Sequence, residues 1–381
     1  MDRALFTGGP AYLTWNSETF QMHDDWNLDL DLSHFDVKTN LQGLVGRAVS
    51  DTLAKVSFTP IAFGGSIATL FTALFPYQPS QKGQLIFGAT DKPLVIQTQA
   101  GKSITFSAAA LTKMPDITFA PDKVLFGAAE LTCLIANEAA PSDADAFFTI
   151  ADSSYSEPSL NPLDILFDLY TLSYGVGSSA PFDAIETNEN GVKFMPAVQL
   201  KERRLASRGI YNYMIDGVTA DVKFTPENVD EDDWADFIKT QGSGYGRGKL
   251  RGAFGDWLKI AGSAAGKAQL TLPLAVAEEG NLRFSSDSRV AEMTLQAHRK
   301  YSSVLSCGTT NTSTSVTVTA GTAGLVEGMG VSGTGISGGT TISAIASGTA
   351  ITLSAVATAT NASVNLTFTG LHPLFALGTV P

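Results

Sequence analysis

The 381-residue chain has little cysteine and no long apolar run, and each shortage excludes a class of protein. Its two cysteines, Cys133 and Cys307, are too few for a disulfide scaffold or a metal site built from thiolates. No stretch reaches the roughly 18 uninterrupted apolar residues that indicate a membrane-spanning helix. The N-terminus lacks the basic patch and apolar run of a signal peptide. We therefore expect a soluble protein that is made in a reducing cytoplasm.

Positive charge is also scarce, with 25 Lys and Arg against 37 Asp and Glu, a net charge of −12 and a pI of about 4.8. Proteins that grip nucleic acid need clustered basic side chains, so this balance argues against that class. The densest basic run comprises Lys201, Arg203, Arg204 and Arg208, and it has no interleaved aromatic residue on which a base would stack. We interpret this run as a source of ion pairs between subunits.

Residues 302–381 differ in composition from everything before them. They contain one acid, Glu327, no lysine or arginine, and mostly Thr, Ser, Gly, Ala and Val. Thr and Val favour strands, and Gly and Ser supply turns. Three runs alternate with a period of two, which predicts strands at 315–319, 350–354 and 364–368. The composition therefore predicts a small all-β, immunoglobulin-like module over residues 306–370.

The first 301 residues contain an internal duplication. Val56–Pro60 recurs as Val222–Pro226, at an offset of 166 in residue number. Four further short matches follow in the same order with offsets of 162 to 165: Leu94–Ile96 with Leu258–Ile260, Ala100–Lys102 with Ala265–Lys267, Asp116–Phe119 with Asn281–Phe284, and Glu130–Thr132 with Glu292–Thr294. Each match is short, but their common order and nearly constant offset indicate one structural design used twice.

Both copies show the same local pattern. Alternating strands lead into Phe-Thr-Pro, where the proline ends the strand. A helix is then predicted, because apolar residues fall on one helical face at Ile67, Leu70, Phe71, Leu74 and Phe75 in copy one. In copy two the corresponding face consists of Trp234, Phe237 and Ile238. We therefore predict a mainly β protein with two tandem β-sandwich or barrel domains, each with a flanking helix.

The predicted boundaries are copy one over 1–150, a linker over 151–180, and copy two over 181–305 plus 371–381. Copy one closes with the apolar segment 147–150, whereas a comparable segment in copy two, 374–377, comes only after the module. The module at 306–370 is therefore predicted to be an insertion in copy two, since surface hairpins tolerate such insertions.

Acidic residues around two histidines form the one cluster that suggests a metal site. His23 and His34 lie close in sequence to the carboxylates of Asp24, Asp25, Asp29, Asp31 and Asp36. Hard cations need carboxylates that converge from several directions. These acids alternate with Leu28, Leu30 and Leu32, which predicts one solvated strand face, and we expect no metal site.

Two further motifs resemble catalytic or phosphate-binding loops. Gly335–Gly339 matches the nucleophile elbow around Ser337, but no acid follows it and His372 is the only later histidine. The glycine-rich loop 242–250 lacks the first glycine of a P-loop, at position 243, and the Ser or Thr at position 250. We expect no catalytic residue and no cofactor, so an enzyme is the least favoured class.

The arrangement resembles the tail tube proteins, or major tail proteins, of long-tailed bacteriophages. The resemblance rests on an opening hairpin around Asn16-Ser17-Glu18, the Phe-Thr-Pro strands, one helix, and Met114-Pro115-Asp116-Ile117 before a final strand. The second copy repeats this with Thr187–Phe194 and Val222–Pro226. Thr340–Ile345 and its surroundings look like the Thr/Ser/Gly-rich modules of phage virion proteins. The resemblance spans nearly the whole chain.

The resemblance implies a structural virion protein whose sheets join into rings that stack into a hollow tube. Members with one unit per chain build rings of six, so two units imply three chains per pseudo-sixfold ring. The implied partners are further copies of the chain and the tape-measure, tail-tip and tail-terminator proteins, with genomic DNA passing through without specific binding. The implied location is the virion tail, after synthesis in the host cytoplasm.

Two details of this interpretation depend on charge. Carboxylates that line the lumen would repel DNA phosphates, and Asp29 with Asp31, or Asp24 with Asp25, are candidates for that lining. The charge-poor module at 306–370 would lie outside the tube, where contact with cell-surface glycans is conceivable. A second interpretation remains open, namely another virion component such as a neck, tail-tip, surface-adhesion or decoration protein.

Overall fold

The computed structural model describes residues 11–23, 26–39, 43–88, 91–121, 123–134, 148–154, 156–175, 183–205, 209–227, 256–279, 292–299, 301–319, 321–322 and 324–380. Over these residues the protein is mainly β, as predicted, with antiparallel sheets and one α-helix. The helix predicted around Trp234 lies outside the described residues. No helix in the described part of the chain is long and apolar enough to cross a membrane.

The first part of the chain contains eleven strands in two sheets, a two-residue strand and the helix. In order these are β1 (Ala11–Trp15), β2 (Glu18–Met22), β3 (Asn27–Thr39), β4 (Gly43–Phe58), β5 (Pro60–Phe63), α1 (Ile67–Leu74), β6 (Lys92–Thr98), β7 (Lys102–Lys113), β8 (Ile117–Ala120), β9 (Lys123–Phe126), β10 (Ala129–Cys133), β11 (Phe148–Asp152) and β12 (Asn161–Pro162). Short 3₁₀ turns lie at Pro79–Gln81 and Leu163–Leu166.

The rest of the chain is built from strands alone within the described residues. They are β13 (Tyr170–Gly175), β14 (Asp183–Ile185), β15 (Thr187–Leu205), β16 (Gly209–Pro226), β17 (Asp256–Gly262), β18 (Ala268–Glu279), β19 (Met293–Ala297), β20 (Ser302–Thr309), β21 (Ser315–Val318), β22 (Gly330–Ser332), β23 (Ile342–Ser347), β24 (Ala350–Leu353), β25 (Asn361–Thr369) and β26 (Ala376–Thr379).

The first two sheets repeat one strand order. In the first sheet, seven consecutive strands run β2-β1-β6-β7-β10-β4-β3, and β11 also pairs with β7. In the second, the corresponding strands run β14-β13-β17-β18-β19-β16-β15, and β26 also pairs with β18. The Cα partners of β11 are Lys102–Phe106 and those of β26 are Ala268–Thr271, so the two closing strands pair at positions related by the repeat offset. The duplicated sequence thus corresponds to a duplicated sheet topology.

Local sequence explains how the first unit, the copy predicted over residues 1–150, begins. Asn16 and Ser17 have φ values of 50° and 64°, so they form the type I′ turn that joins β1 to β2. The adjacent Glu18 is fully buried, and its Oε1 accepts hydrogen bonds from the backbone N–H groups of Gly64 and Gly65 at 2.7 and 2.6 Å. Its Oε2 accepts from the Thr69 hydroxyl at 2.8 Å. One buried carboxylate therefore fixes the opening hairpin to the start of α1.

The helix begins and ends near the predicted positions. Ser66 is its N-cap and accepts a hydrogen bond from the Thr69 N–H at 3.2 Å. Leu70, Phe71 and Leu74 are buried on its apolar face, and β4 ends before Pro60 as predicted. A single large core contains buried residues of both sheets, so the two units pack as one body.

The charge-poor segment forms a third sheet with its own core. Its six strands are hydrogen-bonded in the order β22-β25-β20-β21-β24-β23, so the segment is all β, as predicted. The segment lies in sequence between β19 and β26, two strands that both pair with β18. The Gly370 N–H donates to the Tyr301 carbonyl at 2.8 Å, so the two ends of the segment lie side by side.

Two features cross the boundaries expected from the sequence. The hairpin β8–β9 belongs by sequence to 1–150, but it pairs with β15 in the second sheet. The stretch 151–180 was expected to be a linker. It contains β12, which pairs with β5 of the first sheet, and β13, which lies in the second sheet. A 3₁₀ turn at Leu163–Leu166 follows β12 in this stretch.

Candidate assembly interface

The first unit extends the sheet of the second unit by strand addition. The hairpin β8–β9 leaves the first sheet between β7 and β10, and β8 pairs antiparallel with β15. Phe119, Thr118 and Ile117 lie opposite Val192, Lys193 and Phe194, respectively. An edge strand exposes unpaired backbone groups, and a strand from a neighbouring unit satisfies them.

Packing and charge both hold this hairpin in place. Phe119 is fully buried, and its ring contacts the Phe167 ring edge-on at a centroid distance of 4.7 Å. On the solvent side, Lys193 Nζ lies 3.0 Å from Asp116 Oδ2, just before β8 begins. Gly191 has φ +70°, and a Cβ there would overlap the Phe119 carbonyl oxygen. Glycine at this position therefore allows the close approach of the two backbones.

A second segment of the first unit runs along the other strand of the same hairpin. Between α1 and β6, the N–H groups of Gly83 and Ile86 donate to the carbonyls of Ile215 and Tyr213 on β16, at 2.8 and 3.0 Å. Asn212 completes the contact, since its side chain donates to the Phe87 carbonyl at 2.9 Å and accepts from the Phe87 N–H at 3.1 Å. The hairpin β15–β16 is thus held on both strands.

The end of α1 also contacts the second unit. Gln78 Oε1 accepts from the Leu374 N–H and Gln78 Nε2 donates to the Phe375 carbonyl, both at 3.0 Å. The Phe75 ring lies 6.3 Å from the Phe194 ring, which in turn contacts Phe375 edge-on at 5.3 Å. These contacts join the helix of unit one to both β15 and the segment that leads into β26.

The corresponding hairpin of the first unit, β3–β4, has no such cover within the described residues. There β3 pairs with β4 alone, at the end of its sheet. Trp26 and Leu28 are only half-buried, and Leu30 is 41% exposed. Their counterparts at the repeat offset are Val192, Phe194 and Pro196, which are all buried, and β8 pairs with β15 at Val192–Phe194. The same design is therefore covered in one unit and open in the other.

Only some residues of the predicted acidic cluster lie within the described part of the chain. Asp29 is exposed on β3, next to Lys55 of β4 in the pairing register, whose Nζ lies 4.0 Å from Glu130. Asp31, His34 and Asp36 lie on β3, Asp24 and Asp25 fall outside the described residues, and His23 is exposed before β3. The described residues contain no group of three or more His, Cys, Asp or Glu that could hold a metal ion.

The predicted basic run lies on the outer part of β15. Lys201, Arg203 and Arg204 are exposed, and Arg208 falls outside the described residues. Arg204 pairs with Glu202 at 3.0 Å, and Arg203 Nη2 lies 3.1 Å from the Met214 sulfur. The ion pair described for this run is therefore formed within the chain, and its expected role between subunits stays a prediction.

The remaining candidate residues from the sequence do not come together in a site within the described residues. Ser337 lies in a loop of the charge-poor segment, away from any strand–turn–helix, and loop 242–250 lies outside the described residues. Cys133 and Cys307 are buried, and burial raises the pKa of each thiol to about 12. A cavity of about 430 Å³ lies between α1, β26 and residues 324–326, and none of its lining side chains is acidic or basic.

One further repeat match, which the sequence analysis did not use, involves the segment that contacts β16. Gly83-Gln84-Leu85, the start of the segment on β16, recurs as Gly248-Lys249-Leu250 at an offset of 165. The match has the offset of the other repeats and would have marked this loop as part of the duplicated unit. A scan against protein-family models finds no match for the chain, and a search of curated proteins finds none either.

Proposed function

We propose that the protein is a structural virion component that assembles into stacked rings, three chains per pseudo-sixfold ring, and so forms the tail tube of a long-tailed bacteriophage. The observation that carries the proposal is the repeated sheet topology in which unit one covers the β15–β16 hairpin of unit two, while no described residue covers the matching β3–β4 hairpin in the same way. A chain with one covered and one open copy of the same joint is suited to head-to-tail association, which closes into a ring when the rotation between neighbouring chains closes.

The charge distribution supports a conduit for DNA more than a DNA-binding surface. A net charge of −12 repels phosphates, so DNA would slide past the protein without adhering to it. The charge-poor segment has its own core and adjacent ends, so it would sit on the ring without interrupting it.

Negative-stain electron microscopy of the purified full-length protein, over a concentration series, tests this proposal. We expect rings with a central hole at moderate concentration and stacked hollow tubes at high concentration. Monomers at all concentrations, also in the presence of isolated phage tail tips as nuclei, would contradict the tube and favour the neck, tail-tip or adhesion interpretation. Glycan binding by the full-length protein would then be measured.

A further inference from the structure

We propose that the Asn190–Gly191 dipeptide of β15 is a site of spontaneous covalent modification, where water converts the asparagine amide to a carboxylate and the main chain shifts to an isoaspartyl linkage. The dipeptide lies directly before the residues of β15 that pair with β8. Its modification would therefore loosen the cover that unit one forms on unit two. The inference concerns this joint within one chain and does not depend on assembly into a tube.

The sequence singles out this dipeptide. Asn190 is the one asparagine of the 381-residue chain that glycine follows. Glycine has no Cβ, so nothing shields its backbone nitrogen from the side-chain carbonyl carbon of the residue before it. At Asn16–Ser17 and at Asn188–Glu189 the second residue carries a side chain. Asn190 is therefore the asparagine whose side chain is most open to attack by its own main chain.

The local structure leaves the dipeptide accessible. In the register with β16, the Cα partners on β15 pass from Thr187 directly to Val192, and the register with β8 begins at Val192. Residues 188–191 therefore have no partner in either register. Asn190 is exposed, and its backbone N–H donates to Asn188 Oδ1 at 3.1 Å rather than to a neighbouring strand. Its side chain is thus free to turn toward the Gly191 nitrogen.

The reaction needs only water. The Gly191 nitrogen attacks Asn190 Cγ, the Cγ–Nδ2 bond breaks, and the amide leaves as ammonia together with the proton of the Gly191 N–H. The product is a five-membered succinimide ring. Water then opens the ring at Cγ, which gives aspartate, or at the main-chain carbonyl carbon, which gives isoaspartate. One water is consumed and one ammonia is released, with no change of oxidation state.

The surroundings of Gly191 convert this change into a change at the joint. The Gly191 backbone lies so close to β8 that an added Cβ would overlap the Phe119 carbonyl oxygen. Isoaspartate inserts one extra main-chain atom directly before Gly191, and the packed backbone has no room to absorb it. The new carboxylate also lies beside the exposed carboxylate of Glu189, which repels it. Both effects favour displacement of β8 from Val192–Phe194.

Peptide mapping of the full-length protein after prolonged incubation at pH 8 tests the site. Mass spectrometry should find aspartate and isoaspartate at Asn190, at a level at least about tenfold above that at Asn16 or Asn188. Asn190→Gln is the matched variant, because it keeps the amide but would need a six-membered ring, and it should stay unmodified. Modification of Asn190 in urea-unfolded protein but not in native protein would overturn the inference, because the fold would then protect the dipeptide.

Hydrogen exchange tests the effect on the joint. Amides of Ile117–Ala120 should exchange faster in the incubated wild type than in the fresh protein, and at an unchanged rate in incubated Asn190→Gln. Freshly prepared Asn190→Asp adds the charge without the extra main-chain atom, so its exchange should lie closer to that of the fresh wild type. Isoaspartate at position 190 with unchanged exchange in β8 would overturn the loosening of the joint.

Discussion

Gly191 offers the sharpest test of the joint between the two units. Gly191→Ala adds a Cβ in a left-handed backbone conformation, and that Cβ would overlap the Phe119 carbonyl oxygen and come within 2.8 Å of the Ala120 Cα. Gly266 is a matched control, because it has φ +81° but no atom within 4 Å of the added Cβ. The two substitutions therefore share the backbone strain and differ only in the collision with β8.

The expected costs follow from these two contributions. A left-handed alanine costs roughly 1–2 kcal/mol, which applies to both variants. Overpacking against backbone atoms that cannot rotate away costs about 1–3 kcal/mol more, which applies to Gly191→Ala alone. We expect the free energy of unfolding, measured in urea, to fall by about 1–3 kcal/mol more for Gly191→Ala than for Gly266→Ala.

A local readout accompanies the global one. If the added Cβ displaces β8, limited proteolysis should cut Gly191→Ala faster between β7 and β10, while the Gly266→Ala pattern should match that of the wild type. Equal losses of stability in the two variants, with unchanged proteolysis, would refute the argument that β8 lies against β15 at this position.

Three further outcomes are expected elsewhere in the chain. Gln78→Ala removes two hydrogen bonds between the units and should cost about 1–3 kcal/mol in urea unfolding, whereas Gln199→Ala, at an exposed site of β15, should change the free energy of unfolding by under about 0.5 kcal/mol. Cys133 and Cys307 should resist Ellman's reagent at pH 8 in the native protein, because burial raises both thiol pKa values to about 12. Both should react in denaturant, and rapid labelling of the native protein would contradict their burial. Replacing 302–370 by Asn-Gly should leave a folded protein with the far-UV spectrum of a β-protein, because the segment's ends are hydrogen-bonded; an aggregated product would argue otherwise.

The sequence predicted the local elements well because local rules govern them. Pro60 cannot donate a ladder hydrogen bond, so β4 ends at Phe58 just before it. The spacing of Leu70, Phe71 and Leu74 defines a helical face whatever that face packs against. Asn16 and Ser17 sit at positive φ in a two-residue turn, in the hairpin expected there. The mainly β class and the position of α1 could therefore be predicted without knowing which strands pair.

The joint between the units could not be predicted in the same way. The alternation of Ile117 and Phe119 predicts a strand, but their partners Val192 and Phe194 lie far along the chain, and nothing local distinguishes that edge from β10 or β4. The Gly83–Phe87 segment has no alternating strand pattern. Its hydrogen bonds to β16 depend on where α1 ends and places the segment, which the local sequence does not encode. Such contacts depend on tertiary packing between segments that are far apart in the sequence.

The mass and symmetry of the assembled particle test the central claim most directly. Native mass spectrometry of the smallest closed particle should give about 120 kDa, three times the 40.1 kDa chain, and two-dimensional class averages of the same sample should show six similar lobes around a central hole. A closed particle of six chains with twelve lobes, or an open particle without a hole, would contradict the account, because each chain would then not supply two equivalent units to one pseudo-sixfold ring.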